Sequence, residues 1–352
     1  MKALNLYEKQ DVRLENVSQP DIEHDGDVII QVITAGICGS DISRFGKIGS
    51  YNSGLTWGHE FAGVVSKVGK SVTSLKPGDR VVACPCFPCY ECESCLQANY
   101  ARCSHLQVLG GHRKGAFAEY ISVPSANVVR IPDDLDFDSA CFVEPSAVVV
   151  HGLDQVNISA GATIAVVGCG TIGQLAVQWA QIYGAGKVYA FDTEQQKLDI
   201  ALQAGAADAF NVTCSDYESR FLSATNGKGV DLVIESSGNA AGIVSTMNLA
   251  KKGGTVLLMG IPYGDVAFDR VSFEKIVRNE LIVRGSWNSL SAPFPGREWK
   301  TSLEYMQKGM LNPSILITHR ISLDDAPAIF SQLYARKVHF IKVLINIGNE
   351  TK

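Results

Sequence analysis

The stretch AVVGCGTIG, Ala165 to Gly173, decides how this chain folds. Three apolar residues run into G-x-G-x-x-G, and an apolar helical pattern, Gly173 to Tyr183, follows at once. In a strand–turn–helix of this kind the first glycine, Gly168, allows the tight turn. The second, Gly170, lets a pyrophosphate approach the backbone, and the third, Gly173, lets helix and strand pack closely. The motif alone is weak, and its setting between strand and helix gives it weight. Gly168, Gly170, Thr171, Ile172 and Gly173 are therefore candidate dinucleotide contacts. The next apolar strand, Lys187 to Phe191, delivers Asp192, nineteen residues past Gly173. A carboxylate there accepts hydrogen bonds from ribose hydroxyls and repels a 2′-phosphate, and no arginine follows it directly. The expectation is NAD over NADP, with Lys197 as a further cofactor candidate. A plain helix-capping role for Asp192 is compatible with this.

Outward from the loop, short apolar runs (Thr163 to Val167, Lys187 to Phe191, Leu232 to Ile234, Thr255 to Met259) alternate with helical stretches such as Thr193 to Ala204. This is the mark of a parallel sheet wrapped by helices. The alternation begins near 151 and fades near 290. Before it the chain is strand-rich, with Asp27 to Thr34, Ala62 to Val68 and Arg80 to Ala83 as β-branched runs and Lys76-Pro77-Gly78-Asp79 as a turn signal. Ser322 to Ile347 reads as a helix and a strand returning to the first domain. The expected fold is α/β: a β-rich domain of residues 1–150 and 291–352, interrupted by a doubly wound, Rossmann-type domain at 151–290.

Composition excludes several function classes. Of the 352 residues 46% are hydrophobic and 19% charged, and the net charge is −5. Such a chain buries real cores and carries no basic excess for nucleic acid or a membrane surface. The first residues lack the apolar core of a signal peptide, and the most apolar stretch, Ala162 to Ala180, is broken by glycines and glutamines. A cytoplasmic location is expected. The ten cysteines then point to metal binding before disulfides.

The cysteines fall into a dense cluster and a scattered remainder. Cys89, Cys92, Cys95 and Cys103 are close enough in sequence to wrap one tetrahedral Zn²⁺ with no open position, a structural site. Cys84 and Cys86 read as small side chains of a strand or turn. A second set comes from three separate fragments: CGSD at Cys38 to Asp41, GHE at Gly58 to Glu60, and VEP at Val143 to Pro145. A thiolate, an imidazole and a carboxylate balance Zn²⁺ and leave one position open, as catalysis requires. Spacing alone does not join Cys38, His59 and Glu144, and each has an ordinary structural reading.

GHE-x-x-G-x-x-x-x-x-G, Gly58 to Gly69, resembles the signature of the zinc-dependent medium-chain dehydrogenase/reductase family. CGSD before it, the four-cysteine lobe and the glycine loop follow in that family's order. The resemblance covers essentially the whole chain. It implies a GroES-like catalytic domain, a Rossmann domain and a cleft between them. It also implies a catalytic zinc on Cys38, His59 and Glu144, with Glu60 as an adjoining acid able to replace water on the metal. Asp41 resembles the carboxylate that orients the zinc histidine, and Ser40 holds the place of a proton-relay hydroxyl. Glutamate at Glu144 resembles the polyol dehydrogenase branch. The run GSWNSLSAPFPGREW, Gly285 to Trp299, is similar to dehydrogenases of polyol phosphates such as galactitol 1-phosphate. One departure is EPSAV at Glu144, where relatives more often read EPLSV.

The expected activity is oxidation of a secondary alcohol of a polyol phosphate to a keto sugar phosphate, with NAD⁺ as hydride acceptor. Arg44, Lys47, His112, Arg113 and Lys114 are candidate phosphate donors, and Trp287 and Asn288 candidate substrate contacts. For each of them a solvated turn or plain packing is the competing reading. The rival functions are a dehydrogenase of an unphosphorylated polyol, a zinc-free NADPH reductase and a non-catalytic nucleotide-binding relative. Cys38, His59, Glu144 and Asp192 together argue against the reductase. The resemblance further implies a homodimer or tetramer.

Overall fold

The computed structural model describes residues 1–348. The chain forms two compact units: residues 1–147, 289–309 and 317 onward, and residues 148–288 with 310–316. Sequence patterning put the divisions at 150/151 and 290/291. The first division between the units falls at 147/148, in the same helix, Val143–Leu153, as the expected one, and the short stretch 310–316 groups with the second unit.

The second unit is built on six parallel strands in the order Asp208–Asn211, Lys187–Asp192, Thr163–Val167, Val230–Glu235, Ala250–Leu258 and Ile282–Gly285. Numbered along the chain this is 3-2-1-4-5-6, the doubly wound dinucleotide topology. A strand covered on both faces has no solvent side, so Thr163–Val167 is an unbroken apolar run, and Ile164, Ala165 and Val166 are fully buried. On one flank Phe191 stacks on Phe210 at 5.0 Å, and Phe221 meets Phe191 edge-on at 5.2 Å. The fifth strand starts five residues before the apolar run that marks it in the sequence. It does so because a register break between Val230 and Leu232 lets Ala250 pair ahead of Thr255. The outermost strand, Ile282–Gly285, exposes Ile282 and Val283.

The first unit carries a seven-stranded sheet centred on Asp27–Gly36. Its neighbours include Glu60–Val68 on one side and Lys342–Asn346, from the far end of the chain, on the other, both antiparallel. Val28, Ile29, Ile30 and Val32 have no exposed surface, so this strand is the spine of the core. Trp57, Phe45, Phe117 and Phe330 pack together beside it. At its end Gly36 lies opposite Glu60 on one neighbour and opposite Leu344 on the other. That three-strand end carries much of the chemistry described next. Among the described residues no helix is long and apolar enough to cross a membrane.

Candidate functional site

The glycine loop behaves as three different positions. Gly168 has φ +90°, and a Cβ there would stand 2.7 Å from the Ser237 backbone nitrogen. A Cβ on Gly173 would fall 1.8 Å from the Gly168 carbonyl oxygen, so helix and loop touch through it. A Cβ on Gly170 would meet nothing within 4 Å. Gly170 also caps the helix Thr171–Ile182 with no side-chain hydrogen bond. An open glycine face at an uncapped helix N-terminus suits a pyrophosphate. Asp192 sits beside it: its carboxylate accepts from the Cys169 N–H at 2.7 Å and the Glu194 N–H at 2.9 Å. Lys197 turns to Glu194 at 2.7 Å.

Cys89, Cys92, Cys95 and Cys103 have their sulfurs mutually within 4.8 Å. Backbone amides point at them: Cys92 N–H to the Cys89 sulfur and Cys89 N–H to the Cys103 sulfur, both 3.3 Å, and His105 N–H to the Cys103 sulfur at 3.4 Å. Amides from Ser104 and Cys95 hold the Cys92 thiol down at about 6, whereas burial pushes Cys95 up to about 12. Four thiols with amide donors around them and no further ligand fit a closed Zn²⁺ site. Cys84 and Cys86 lie outside the cluster and are fully buried, their backbone carbonyls both accepting from Asn127 Nδ2.

The second centre draws on three elements of the first unit. Cys38 precedes the short helix Gly39–Ser43, His59 precedes the strand Glu60–Val68, and Glu144 lies in the first turn of Val143–Leu153. The ligand atoms that come within 4.8 Å of one another are those of Cys38, His59 and Glu60. Glu144 stands beside this trio, close enough for the charges of His59 and Glu60 to act on its carboxyl, and is not one of the three. Burial, opposed by His59 and reinforced by Glu60, raises that carboxyl to about 7. Burial, then Glu60 and Asp41, raises the Cys38 thiol, to which Ser40 donates its hydroxyl hydrogen bond.

Asp41 ties the ligands together. One of its oxygens accepts the Cys38 N–H at 3.0 Å, and the other lies 3.6 Å from His59 Nδ1. That second oxygen is buried with no hydrogen-bond partner. An orphaned carboxylate oxygen aimed at Nδ1 matches a histidine that presents Nε2 to a metal and its Nδ1–H to Asp41. The donor set of sulfur, imidazole and carboxylate fits zinc, and a divalent cation would offset the acids gathered here.

The basic candidates separate. Arg44 donates to the Gly110 carbonyl at 2.5 Å and lies 4.9 Å from the Tyr51 ring centroid, and Tyr51 stacks on His112. Its charge acts on Asp41. Arg113 turns to Gln107 and the Phe87 ring, and Lys114 and Lys47 are exposed. Trp287 is 50% exposed, and Asn288 has φ +61°. Within the run that follows, Phe294 packs edge-on against Tyr90 and Tyr100 of the cysteine lobe. Part of that run therefore serves packing.

Two groups at the centre escape a reading by motif. Lys342 is fully buried and ion-paired with Glu60, and the buried Cys141 thiol donates to the Glu60 carbonyl. A lone lysine inside the apolar run I-K-V-L-I, Ile341 to Ile345, is the signal that marks the first of them.

Comparison with known proteins identifies the family. Residues 24–133 match the alcohol dehydrogenase GroES-like domain, and residues 171–308 match the zinc-binding dehydrogenase model. The chain is 34% identical over 321 residues to galactitol 1-phosphate 5-dehydrogenase of Escherichia coli (strain K12), covering 89% of this chain and 91% of that one. The crystal structure of galactitol-1-phosphate dehydrogenase from Escherichia coli superposes with a TM-score of 0.92 at 33% identity, over 98% of this chain and all of that one. Sorbitol dehydrogenase of Bacillus subtilis (strain 168) is 31% identical over 350 residues, 98% of this chain and 97% of that one. A zinc-binding dehydrogenase of Sinorhizobium meliloti bound to NADP gives a TM-score of 0.89 at 32% identity, over 98% of each chain.

Proposed function

The chain belongs to the zinc-binding dehydrogenase family with its GroES-like alcohol dehydrogenase domain, and from that premise we propose that it oxidises a secondary alcohol of a polyol phosphate with NAD⁺. It is an oxidoreductase, and zinc and a nicotinamide dinucleotide are its family's cofactors. The first unit supplies the catalytic domain and the second the dinucleotide domain. Cys38, His59 and Glu144 hold the catalytic zinc, and Cys89, Cys92, Cys95 and Cys103 the structural one. Bound there, zinc supplies a Lewis acid that makes an alcohol hydroxyl more acidic, and the dinucleotide supplies a hydride acceptor. Asp41 fixes the ring of His59 and the backbone of Cys38. Ser40 donates its hydroxyl to the Cys38 sulfur and takes the substrate proton onward. Asp192 favours NAD, because its fixed carboxylate repels a 2′-phosphate.

Arg44 carries the choice of a phosphorylated substrate. Its guanidinium is held against a carbonyl and an aromatic face, is ion-paired with no carboxylate among the described residues, and acts electrostatically on Asp41 at the metal centre. A preset guanidinium of this kind binds phosphate oxygens well. The test is a panel of galactitol, sorbitol, xylitol and their phosphates with NAD⁺ on zinc-replete protein, wild type and Arg44→Gln. Loss of one charge-assisted contact is expected to cut kcat/KM for the phosphate roughly ten- to a hundredfold. Activity on the free polyols should stay nearly level. Free polyols turned over as efficiently as their phosphates by the wild type would favour the sorbitol-type reading instead.

A further inference from the structure

Glu235 ends the strand Val230–Glu235 and has no exposed surface. Among the described residues it has no ion-pair partner. A buried acid of this kind is tolerated only where hydrogen bonds replace its water. Here Oε1 accepts from the Ser237 N–H at 2.9 Å, from the Gly238 N–H at 3.1 Å and from the Ser237 hydroxyl. Burial pushes the carboxyl up, and donors from Ser237, Gly238 and Gly260 pull against that. An apolar side chain would fill the strand end without the desolvation, so packing gives no reason for an acid there, and its position does. In register Glu235 lies opposite Val167 on one neighbouring strand and Leu258 on the other. Val167 leads into the glycine loop, and Leu258 into Met259 and Gly260. Ligands of an open parallel sheet bind at these carboxyl ends. The segment after Glu235 is also tied to the glycine loop. The Ser236 N–H donates to the Val167 carbonyl at 2.9 Å, and its hydroxyl to the Gly168 carbonyl at 2.8 Å. Gly168 and Gly260 leave the room this needs: a Cβ on the first would stand 2.7 Å from Ser237, and one on the second 2.3 Å from the Gly238 nitrogen and 2.5 Å from Glu235 Oε2.

We propose that Glu235 is a positioning residue that presets the glycine loop for the dinucleotide, by clamping together the loops that follow three neighbouring strands. This rests on the dehydrogenase reading, in which the glycine loop carries a nicotinamide dinucleotide. The carboxylate gathers the amides of the loops after Val230–Glu235 and Ala250–Leu258, and Ser236 passes that order to Gly168. Without the carboxylate, the Ser237, Gly238 and Gly260 amides lose their buried acceptor and turn to water. Ser236 shifts with them, and the Gly168 carbonyl loses its hydroxyl donor. The glycine loop then holds its binding form for only part of the time. Apparent cofactor affinity falls by that fraction, while the residues at the metal are untouched.

The experiment compares wild type, Glu235→Gln and Ser236→Ala on zinc-replete protein. Three readouts are taken: the Kd for NADH by fluorescence titration, KM and kcat for NAD⁺ and for the alcohol, and peptide hydrogen exchange with and without NADH. Glu235→Gln sets an amide against amide donors. It is expected to raise the Kd for NADH and the KM for NAD⁺ about tenfold, with kcat at saturating NAD⁺ undiminished and KM for the alcohol unchanged. Without cofactor, exchange should quicken at 168–170, 236–238 and 259–261 and stay slow in the strand Lys187–Asp192, and NADH should restore the protection. Ser236→Ala removes one neutral hydrogen bond from the same chain of contacts and should raise the Kd about threefold. A merely structural glutamate would give faster exchange through the whole six-stranded sheet, or a lower kcat with an unchanged Kd, and either overturns the proposal. If Glu235→Gln fails to fold, Ser236→Ala decides alone, and wild-type affinity in it overturns the proposal. Wild-type protein that binds no nicotinamide dinucleotide would instead strike down the dehydrogenase reading itself.

Discussion

The two sulfur-bearing centres of the first unit differ in how they make a thiolate tolerable. In the four-cysteine lobe, backbone amides from the same short loop point at the sulfurs, and Cys92 is held near 6 without any outside help. Burial still pushes Cys95 of that lobe up to about 12, and at Cys38 neighbouring acids add to the same push. Burial and the acids Glu60 and Asp41 all press the thiol upward, and a buried carboxyl, Glu144, is pressed up with it. The lobe is organised by its own main chain, whereas the second centre crowds acids around a buried thiol and pushes the Cys38 and Glu144 groups toward their protonated forms. A metal in the lobe is thus a fold element, and one at Cys38 is a reagent.

The sharpest way to break this contrast is Cys38→Ser. Turnover should fall below detection and zinc content by one ion per chain, while NAD binding and the four-thiol metal persist. Normal activity in that protein would mean that the catalytic centre is misplaced. Cys103→Ser probes the other side. The sulfur that accepts amides from Cys89 and His105 is lost, and the lobe has little core of its own to fall back on. Local unfolding of 89–103 is expected, read as new protease cleavage there and a lower melting temperature. Activity should decline only as far as the lobe's contact with Phe294 is lost. Equal loss of turnover in the two variants would erase the distinction.

This contrast also explains what the sequence discloses. Four cysteines within fifteen residues declare a metal because all the ligands share one loop. The glycine loop is equally local, and each of its three glycines has a distinct steric reason. The parallel sheet is legible too, since a strand buried on both faces must be apolar throughout. Cys38, His59 and Glu144 lie on three separated segments, and no spacing rule joins them. Only their resemblance to a known signature does. Lys342 is more remote still, because its partner Glu60 lies 282 positions away and the two meet only through strand order. Even at the centre, the trio of ligand atoms that come together includes Glu60, not Glu144, which no motif discloses.

The finest test of the contrast is pH. Glu144 has an ordinary value of 4.5 and is raised to about 7, chiefly by burial, in the metal-free centre. A carboxyl whose folded value exceeds its unfolded one favours the fold where both are protonated. That contribution is intact below 4.5 and is lost as pH rises through about 7. A metal ligand must be ionised, so zinc reverses the penalty and binds more tightly as pH rises. Protein stripped of the zinc at Cys38, His59 and Glu144 alone should therefore melt progressively below the replete form across that window. The gap should widen by on the order of a few degrees. Glu144→Gln should flatten the widening, because an amide has no proton to lose. The lobe contributes nothing comparable, since its metal stays in place in both samples. A gap that stayed constant with pH would mean that Glu144 is already ionised without metal, and the picture of a centre pushed toward its protonated forms would fail at that residue.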